Sequence, residues 1–136
     1  RLKKEPNMAN ILIIDDEVSV CEIAKDMLSN LGYAVNFVHD GKAGVEMYRT
    51  RRASVDLVMM NMNMPLMGGR ETFRQLKNIN PALPILIVTG HGRAVVDESE
   101  WSSEISGYLQ KPFQLEDLAM KVRHVLDYRT QPTLAQ

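Results

Sequence analysis

Four short apolar runs, each followed at once by a polar side chain, constrain the fold of this 136-residue chain more than any other feature. Most of them are separated by amphipathic segments with a helical spacing of apolar residues. Apolar strands that alternate with helices are typical of a parallel sheet covered by helices on both faces. The carboxyl ends of such strands meet at one edge, where open α/β sheets bind ligands. The runs are 11–14 before Asp15, 57–60 before Asn61, 85–88 before Thr89 and 107–110 before Lys111.

This pattern predicts five consecutive βα units in one α/β domain, a three-layer sandwich around a doubly wound parallel sheet. The predicted strands are 10–14, 33–38, 56–60, 85–88 and 105–109. The first three predicted helices end at Gly32, at about Arg52 and before Pro81. A fourth helix, with a weak apolar pattern, is predicted over 93–104, and a fifth from Gln114 to about Tyr128. The fifth helix should bury one face made of Leu115, Leu118, Ala119, Val122, Val125 and Leu126.

Both ends of the chain are polar and aperiodic, so we expect residues 1–8 to be a linker or an expression scar, 9–128 to form the domain and 129–136 to be a tail or linker. A formal net charge of -1 excludes the basic surface that direct nucleic-acid binding requires. The single cysteine, Cys21, fits a reducing, cytoplasmic location and packing as a small apolar side chain. No apolar stretch is long enough to span a membrane, so we expect no membrane contact by this domain.

The polar residues at the strand ends form a chemically coherent set. Asp15 and Asp16 are adjacent, and two carboxylates so close repel one another unless a hard cation such as Mg²⁺ lies between them. The same acids could merely cap the first helix. Capping alone, however, accounts for neither Thr89 nor Lys111 at the other strand ends, so the combined set favours a site for a divalent cation and a phosphoryl group.

Four stretches of the sequence together resemble the receiver domains of two-component response regulators and hybrid sensor kinases. The resemblance covers residues 9 to about 128 and implies a flavodoxin-like (βα)5 fold with strand order 2-1-3-4-5. The matching stretches are Ile-Leu-Ile-Ile-Asp-Asp-Glu (11–17), Asp-Leu-Val-Met-Met-Asn-Met-Asn-Met-Pro-Leu-Met-Gly-Gly (56–69), Ile-Leu-Ile-Val-Thr-Gly (85–90) and Gly-Tyr-Leu-Gln-Lys-Pro-Phe (107–113).

The resemblance implies a role for each residue of the set in a phosphorelay. The metal site would comprise Asp15, Asp16, Asn61 and the backbone carbonyl of Asn63. Thr89 would form a hydrogen bond with the phosphoryl group, and Lys111 would be the ion-pair partner of that group. Tyr108 would be the aromatic switch, and the Lys111–Pro112 peptide bond would be cis. The implied partners are a histidine kinase or histidine phosphotransfer protein, and an output domain or downstream protein. The latter would dock on the face formed by the fourth helix, fifth strand and fifth helix.

Asn61 departs from the family pattern, because it stands where the family has the aspartate that accepts phosphate. The amide is neutral and its nitrogen lone pair is delocalised, so it cannot attack a phosphoryl group. A receiver catalyses its own phosphoryl transfer and dephosphorylation, and Asn61 should disable both. The loss of one negative charge should also weaken Mg²⁺ binding and hold Lys111 less tightly. We give little weight to deamidation of Asn61 to aspartate, because Met62 rather than glycine follows Asn61.

Two explanations for Asn61 stay open at the level of sequence. One is a natural or engineered substitution in an otherwise complete receiver; the other is a phosphorylation-independent pseudo-receiver that acts as a protein–protein interaction module. Two other classes fit poorly. A phosphohydrolase of the haloacid-dehalogenase type needs Asp-x-Asp after the first strand, and a flavodoxin-like nucleotide binder needs a phosphate loop where this chain has Asp15-Asp16-Glu17. We interpret His39, His91 and His124 as incidental surface or loop residues, because they lack metal-ligand spacing.

Overall fold

The computed structural model describes residues 8–64, 66–90 and 105–130, with side chains described as far as residue 127. The predicted 93–104 helix therefore lies outside the described residues, as do His91 and residues 1–7. The strands are β1 Asn10–Ile14, β2 Ala34–Val38, β3 Leu57–Asn61, β4 Ile85–Thr89 and β5 Gly107–Gln110, and the helices are α1 Val18–Asn30, α2 Gly41–Arg51, α3 Gly69–Ile79 and α4 Leu115–Thr130, with a short 3₁₀ turn at Arg52–Ser54.

The five strands form one sheet in the order β2-β1-β3-β4-β5, and all four pairings are parallel. This confirms the predicted architecture and strand order. The central pairings align Ile14 with Met60 and Met60 with Ile87, so β1, β3 and β4 reach the same edge of the sheet together. The carboxyl ends of the three central strands therefore lie side by side.

The apolar runs are continuous because alternate residues face opposite helical layers. Ile11 and Ile13 of β1 pack with α1 and α4, through buried residues such as Leu28 and Val122. Their neighbours in β1, Leu12 and Ile14, pack on the other face of the sheet with α2 and α3. Burial on both faces stabilises the sheet and leaves the strand ends as the place where polar groups emerge. The apolar core on the α2 and α3 face also includes Val45, Tyr48, Phe73 and Leu76.

Helix ends follow the capping signals of the sequence. α1 ends before Gly32, which adopts φ 100° and donates its N–H to the carbonyl of Ser29. Such left-handed residues are typical helix stops, and glycine adopts them without a steric penalty. α2 begins after Asp40, whose carboxylate accepts the backbone N–H of Ala43 at 2.7 Å.

Several predicted boundaries are wrong by one or two residues. β2 begins at Ala34 rather than residue 33, β3 covers Leu57–Asn61 rather than 56–60, and β5 covers Gly107–Gln110 rather than 105–109. Leu115, predicted to be buried, is 43% exposed because the buried stripe of α4 begins one turn later at Leu118. α4 also continues to Thr130, beyond the predicted end at about Tyr128.

Within the described residues, none of the helices combines the length and the hydropathy that a membrane crossing requires.

We expect Gly69→Ala to lower the free energy of unfolding by about 1–3 kcal/mol, because a Cβ at this position would lie 2.4 Å from the backbone oxygen of Met62. Gly68→Ala is the matched control, since a Cβ there meets nothing within 4 Å. Urea denaturation followed by circular dichroism measures both. Equal stability of the two variants would contradict the tight contact between the start of α3 and the segment after β3.

Candidate functional site

The polar strand ends predicted from the sequence come together at the carboxyl edge of the sheet. Asp15 follows β1, and Asn61 and Thr89 are the last residues of β3 and β4. All three are buried, with relative exposures of 3%, 5% and 1%. Lys111 joins them from the end of β5, where its backbone N–H donates to the carbonyl of Thr89 at 2.8 Å. Residues that are far apart in the sequence therefore share one pocket.

Asn61 is fixed in this pocket by both hydrogens of its amide. Its Nδ2 lies 2.9 Å from Oδ1 of Asp16 and 2.9 Å from the backbone oxygen of Asn63. An amide nitrogen has two hydrogens, so these two bonds use its whole donor capacity. The following N–H, that of Met62, donates to the carbonyl of Val88 at 2.8 Å. Because that nitrogen is engaged in the sheet, the structure gives no support to ready deamidation of Asn61.

Lys111 bridges two carboxylates at the mouth of the pocket. Its Nζ lies 3.0 Å from Oδ2 of Asp15 and also pairs with Oε1 of Glu17. The other oxygen of Asp15 accepts the backbone N–H of Glu17 at 2.9 Å. Asp15 and Glu17 therefore hold Lys111 in this chain, and the expectation that Asn61 holds it less tightly than an aspartate would stays a prediction. Sequence analysis missed the role of Glu17.

Burial and charge act in opposite directions on this ion pair. Burial raises the pKa of Asp15 above its usual value, and the N–H of Glu17 and the charge of Lys111 offset that effect only in part. Burial alone would lower the pKa of Lys111, but the hydrogen bonds and charges of Glu17 and Asp15 outweigh it and raise that pKa. Lys111 therefore stays an ammonium over the whole physiological range, and it is the counter-charge of the acidic corner.

His39 is an exposed residue in the loop after β2, as predicted, and it also contacts the backbone of the pocket. Its Nδ1 lies 3.1 Å from the backbone oxygen of Asp15, and the thiol of Cys21 donates to the same oxygen at 3.3 Å. Burial, followed by the negative charge of Asp15, raises the pKa of Cys21 to about 12. The thiol is thus protonated and unreactive, which agrees with its predicted packing role. His39 follows β2 directly, and that position at a strand end is the signal that could have identified it.

The remaining predicted residues occupy the β5 side of the site. The Lys111–Pro112 peptide is cis, as predicted. Tyr108 is partly buried and packs against the apolar cluster on the α2 and α3 face of the sheet. A cavity of about 460 Å³ lies beside Thr89 and Tyr108 and continues to Asp117 and Lys121 of α4.

The oxygen donors of the pocket are those that a hard cation prefers, but their present arrangement does not fit one. Oδ1 of Asp16 and the carbonyl of Asn63 both accept hydrogens from Asn61, so an N–H donor lies where a shared cation would have to bind. A cation would require the Asn61 amide to rotate so that Oδ1 replaces Nδ2. Across the described residues, no group of three or more His, Cys, Asp or Glu side chains could hold a metal ion.

The comparison with known families decides the identity of this domain. The family model for the response regulator receiver domain matches residues 11–123, which is most of the chain. The chain belongs to the response regulator receiver domain family. Receiver domains of this family are not classical enzymes, and they typically bind Mg²⁺.

Curated relatives of the family include longer proteins. The chain is 34% identical over 122 residues to the response regulator MprA of Mycobacterium avium, and the match covers 90% of the chain and 52% of MprA. It is 31% identical over 127 residues to the transcriptional regulatory protein ZraR of Escherichia coli O157:H7, covering 89% of the chain and 28% of ZraR. The chain thus spans between about a quarter and a half of the length of these relatives.

Solved structures of the family share the fold. A response regulator receiver domain protein from Clostridium thermocellum superposes with a TM-score of 0.83 at 28% identity, covering 90% of this chain and 97% of that one. The chemotaxis response regulator CheY4 of Vibrio cholerae gives a TM-score of 0.76 at 27% identity, covering 88% and 99% of the two chains. The flavodoxin-like receiver fold is therefore confirmed.

We expect Lys111→Met to lower the free energy of unfolding by about 1–3 kcal/mol at neutral pH, because it leaves the buried Asp15 carboxylate without its cation. The control is Glu17→Gln, which removes the exposed half of the same bridge and should cost less than about 1 kcal/mol. Chemical denaturation of both variants measures the difference. A larger loss from Glu17→Gln than from Lys111→Met would contradict the geometry.

The same pair predicts a dependence on alkaline pH. The pKa of Lys111 is raised in the folded state above its value of 10.5 when unfolded, so its contribution to stability is complete below pH 10.5 and declines as pH rises through the folded pKa. The stability difference between the unmodified chain and Lys111→Met should therefore shrink above that pH. Denaturation curves at a series of pH values measure it, and a constant difference would contradict the ion pair.

Proposed function

We propose that this domain is a receiver of a two-component phosphorelay, in a response regulator or a hybrid sensor kinase, that cannot accept phosphate. One observation carries the proposal: a neutral amide, Asn61, occupies the buried end of the central strand in a pocket that keeps Thr89, Lys111 and two aspartates. In this proposal Asn61 occupies the phosphoacceptor position.

The chemistry of Asn61 supports this assignment. Phosphoryl transfer to a receiver needs a carboxylate oxygen that attacks phosphorus and then carries the phosphoryl group as an acyl phosphate. The nitrogen of Asn61 donates both hydrogens to Asp16 and Asn63 and has no free lone pair, while its oxygen is neutral. The pocket thus retains groups to bind and neutralise a phosphoryl group, Thr89 and Lys111, but lacks the atom that would accept it.

We propose that the inactive-like conformation dominates. In the active form a phosphoryl group would draw Thr89 inward, and Tyr108 would move into the space released, remodelling the output face around β5 and α4. Without a phosphoryl group, nothing favours that state.

The surface beside the pocket supports a phosphodonor protein as partner. A groove of about 480 Å³, mainly apolar, runs between α1 and the segment after β5, and Lys111 borders both this groove and the pocket. Ile23 on α1 lines it and is 52% exposed. We propose that a histidine kinase or histidine phosphotransfer protein docks here in the cytoplasm. An output domain or downstream protein would use the face of β5, α4 and the predicted 93–104 helix.

We propose that Mg²⁺ binds this chain more weakly than it binds a receiver with an aspartate at residue 61. The proposed donors are Asp15, Asp16, Asn61 and the carbonyl of Asn63. When bound, the cation would neutralise charge on the phosphoryl group. The loss of one carboxylate lowers the attraction for a divalent ion, and the engaged amide of Asn61 must first be displaced.

A second candidate is a pseudo-receiver that acts as an interaction module without phosphorylation. The favouring observation is that Asp15, Asp16 and Asn63 all have proton donors from the chain itself. These three residues are therefore hydrogen-bonded without a ligand. On this reading Asn61 is the natural residue and the groove beside α1 is a binding surface in its own right.

We expect Asn61→Asp to acquire one phosphoryl group on incubation with acetyl phosphate and Mg²⁺, because it restores a nucleophilic carboxylate in an intact pocket. The chain as it stands should acquire none. Intact mass spectrometry measures both.

The matched control is Asn63→Asp, which adds the same charge two residues away on an exposed side chain and should stay unmodified. An adduct on the unaltered chain would contradict the loss of acceptor function. Absence of an adduct on Asn61→Asp would contradict the assignment of Asn61 to the phosphoacceptor position and favour the pseudo-receiver.

A further inference from the structure

The Asn61 amide makes contacts that a carboxylate could not make. Oδ1 of Asp16 and the carbonyl oxygen of Asn63 are both acceptors, and each lies 2.9 Å from Nδ2 of Asn61. An ionised aspartate has no hydrogens, so at residue 61 it would place acceptor against acceptor at both contacts. Two oxygens can converge on one point only if a donor or a cation lies there.

The charges around residue 61 also favour an amide over a carboxylate at this position. With Asn61 the buried corner contains the carboxylates of Asp15 and Asp16, and Lys111 neutralises Asp15. An aspartate at residue 61 would add a third carboxylate beside Asp16 at a position where Asn61 is only 5% exposed, so repulsion between the like charges is poorly screened. The substitution thus removes repulsion and adds two hydrogen bonds at the same place.

We infer that the Asn61 amide takes over the structural task of a divalent cation in this domain. It joins Asp16 to the segment after β3 through hydrogen bonds, so the pocket is held closed without metal and the fold is independent of Mg²⁺. This inference goes beyond the loss of phosphate acceptance. It rests on the proposed function only in taking Asp16 and Asn63 as cation donors. A receiver of this kind keeps one conformation whatever the supply of metal or phosphodonor.

The test compares thermal unfolding of the chain and of Asn61→Asp in EDTA and in about 10 mM Mg²⁺. The melting temperature of the chain should change by less than about 1 °C between the two conditions. Asn61→Asp should melt at a lower temperature than the chain in EDTA, and Mg²⁺ should raise its melting temperature by about 3 °C or more. Asn78→Asp, with the same charge change at an exposed position on α3, is the control and should show no response to Mg²⁺.

Each result of these melting experiments either supports or overturns the inference. If Asn61→Asp is unfolded in EDTA and folds on addition of Mg²⁺, the inference is supported in its strongest form. A rise in the melting temperature of the unaltered chain as large as that of Asn61→Asp would overturn it, because the amide would then leave room for a cation. An Asn61→Asp variant that ignores Mg²⁺ would also overturn it. Acetyl phosphate labelling is independent of these melts, so the proposed function and this inference can fail separately.

Discussion

The whole site depends on parallel strands of matched length that end at one edge of the sheet. Because α1 and α4 cover one face and α2 and α3 the other, almost every side chain of the central strands is apolar, and polar groups appear where each strand ends, at its last residue or the next one. Asp15, Asn61 and Thr89 all hold that position. The pocket is thus a consequence of sheet packing before any specific polar contact forms. Gly69 extends this dependence, since it lets the segment after β3 lie directly against α3.

Much of the fold could be predicted from the sequence, because its signals are local. Apolar runs of four residues give most of the strands directly, the stop at Gly32 gives the end of α1, and Asp40 caps the start of α2. The strand order followed from the motifs at the strand ends, which match a known family. Boundaries were less accurate, as with Asn61, which pairs within β3 rather than following it. The exposure of Leu115 could not be predicted either, because it depends on where α4 meets the sheet.

The members of the pocket were predictable, but their partners were not. Residues at strand ends are apparent from the sequence, whereas the choice of Lys111 between Asn61, Asp15 and Glu17 depends on distances in the folded chain. The contact of His39 was missed for a similar reason, since its partner is a backbone oxygen and only its position directly after β2 marks it in the sequence. The direction of the Asn61 amide is likewise a property of the folded pocket. It adds a structural role for Asn61, that of a hydrogen-bond donor, to the proposed loss of the nucleophile.

The closed pocket therefore depends on where the two hydrogens of the Asn61 amide point. The most direct measurement is the NMR signal of this side-chain NH₂ group, followed during a titration with Mg²⁺. Two hydrogen bonds in a partly buried pocket predict a resolved pair of proton signals, slow exchange with water and no change in shift up to about 10 mM Mg²⁺. Rapid exchange with water, or a shift that saturates below about 10 mM Mg²⁺, would contradict the central claim, because the amide would then readily yield its place to a cation.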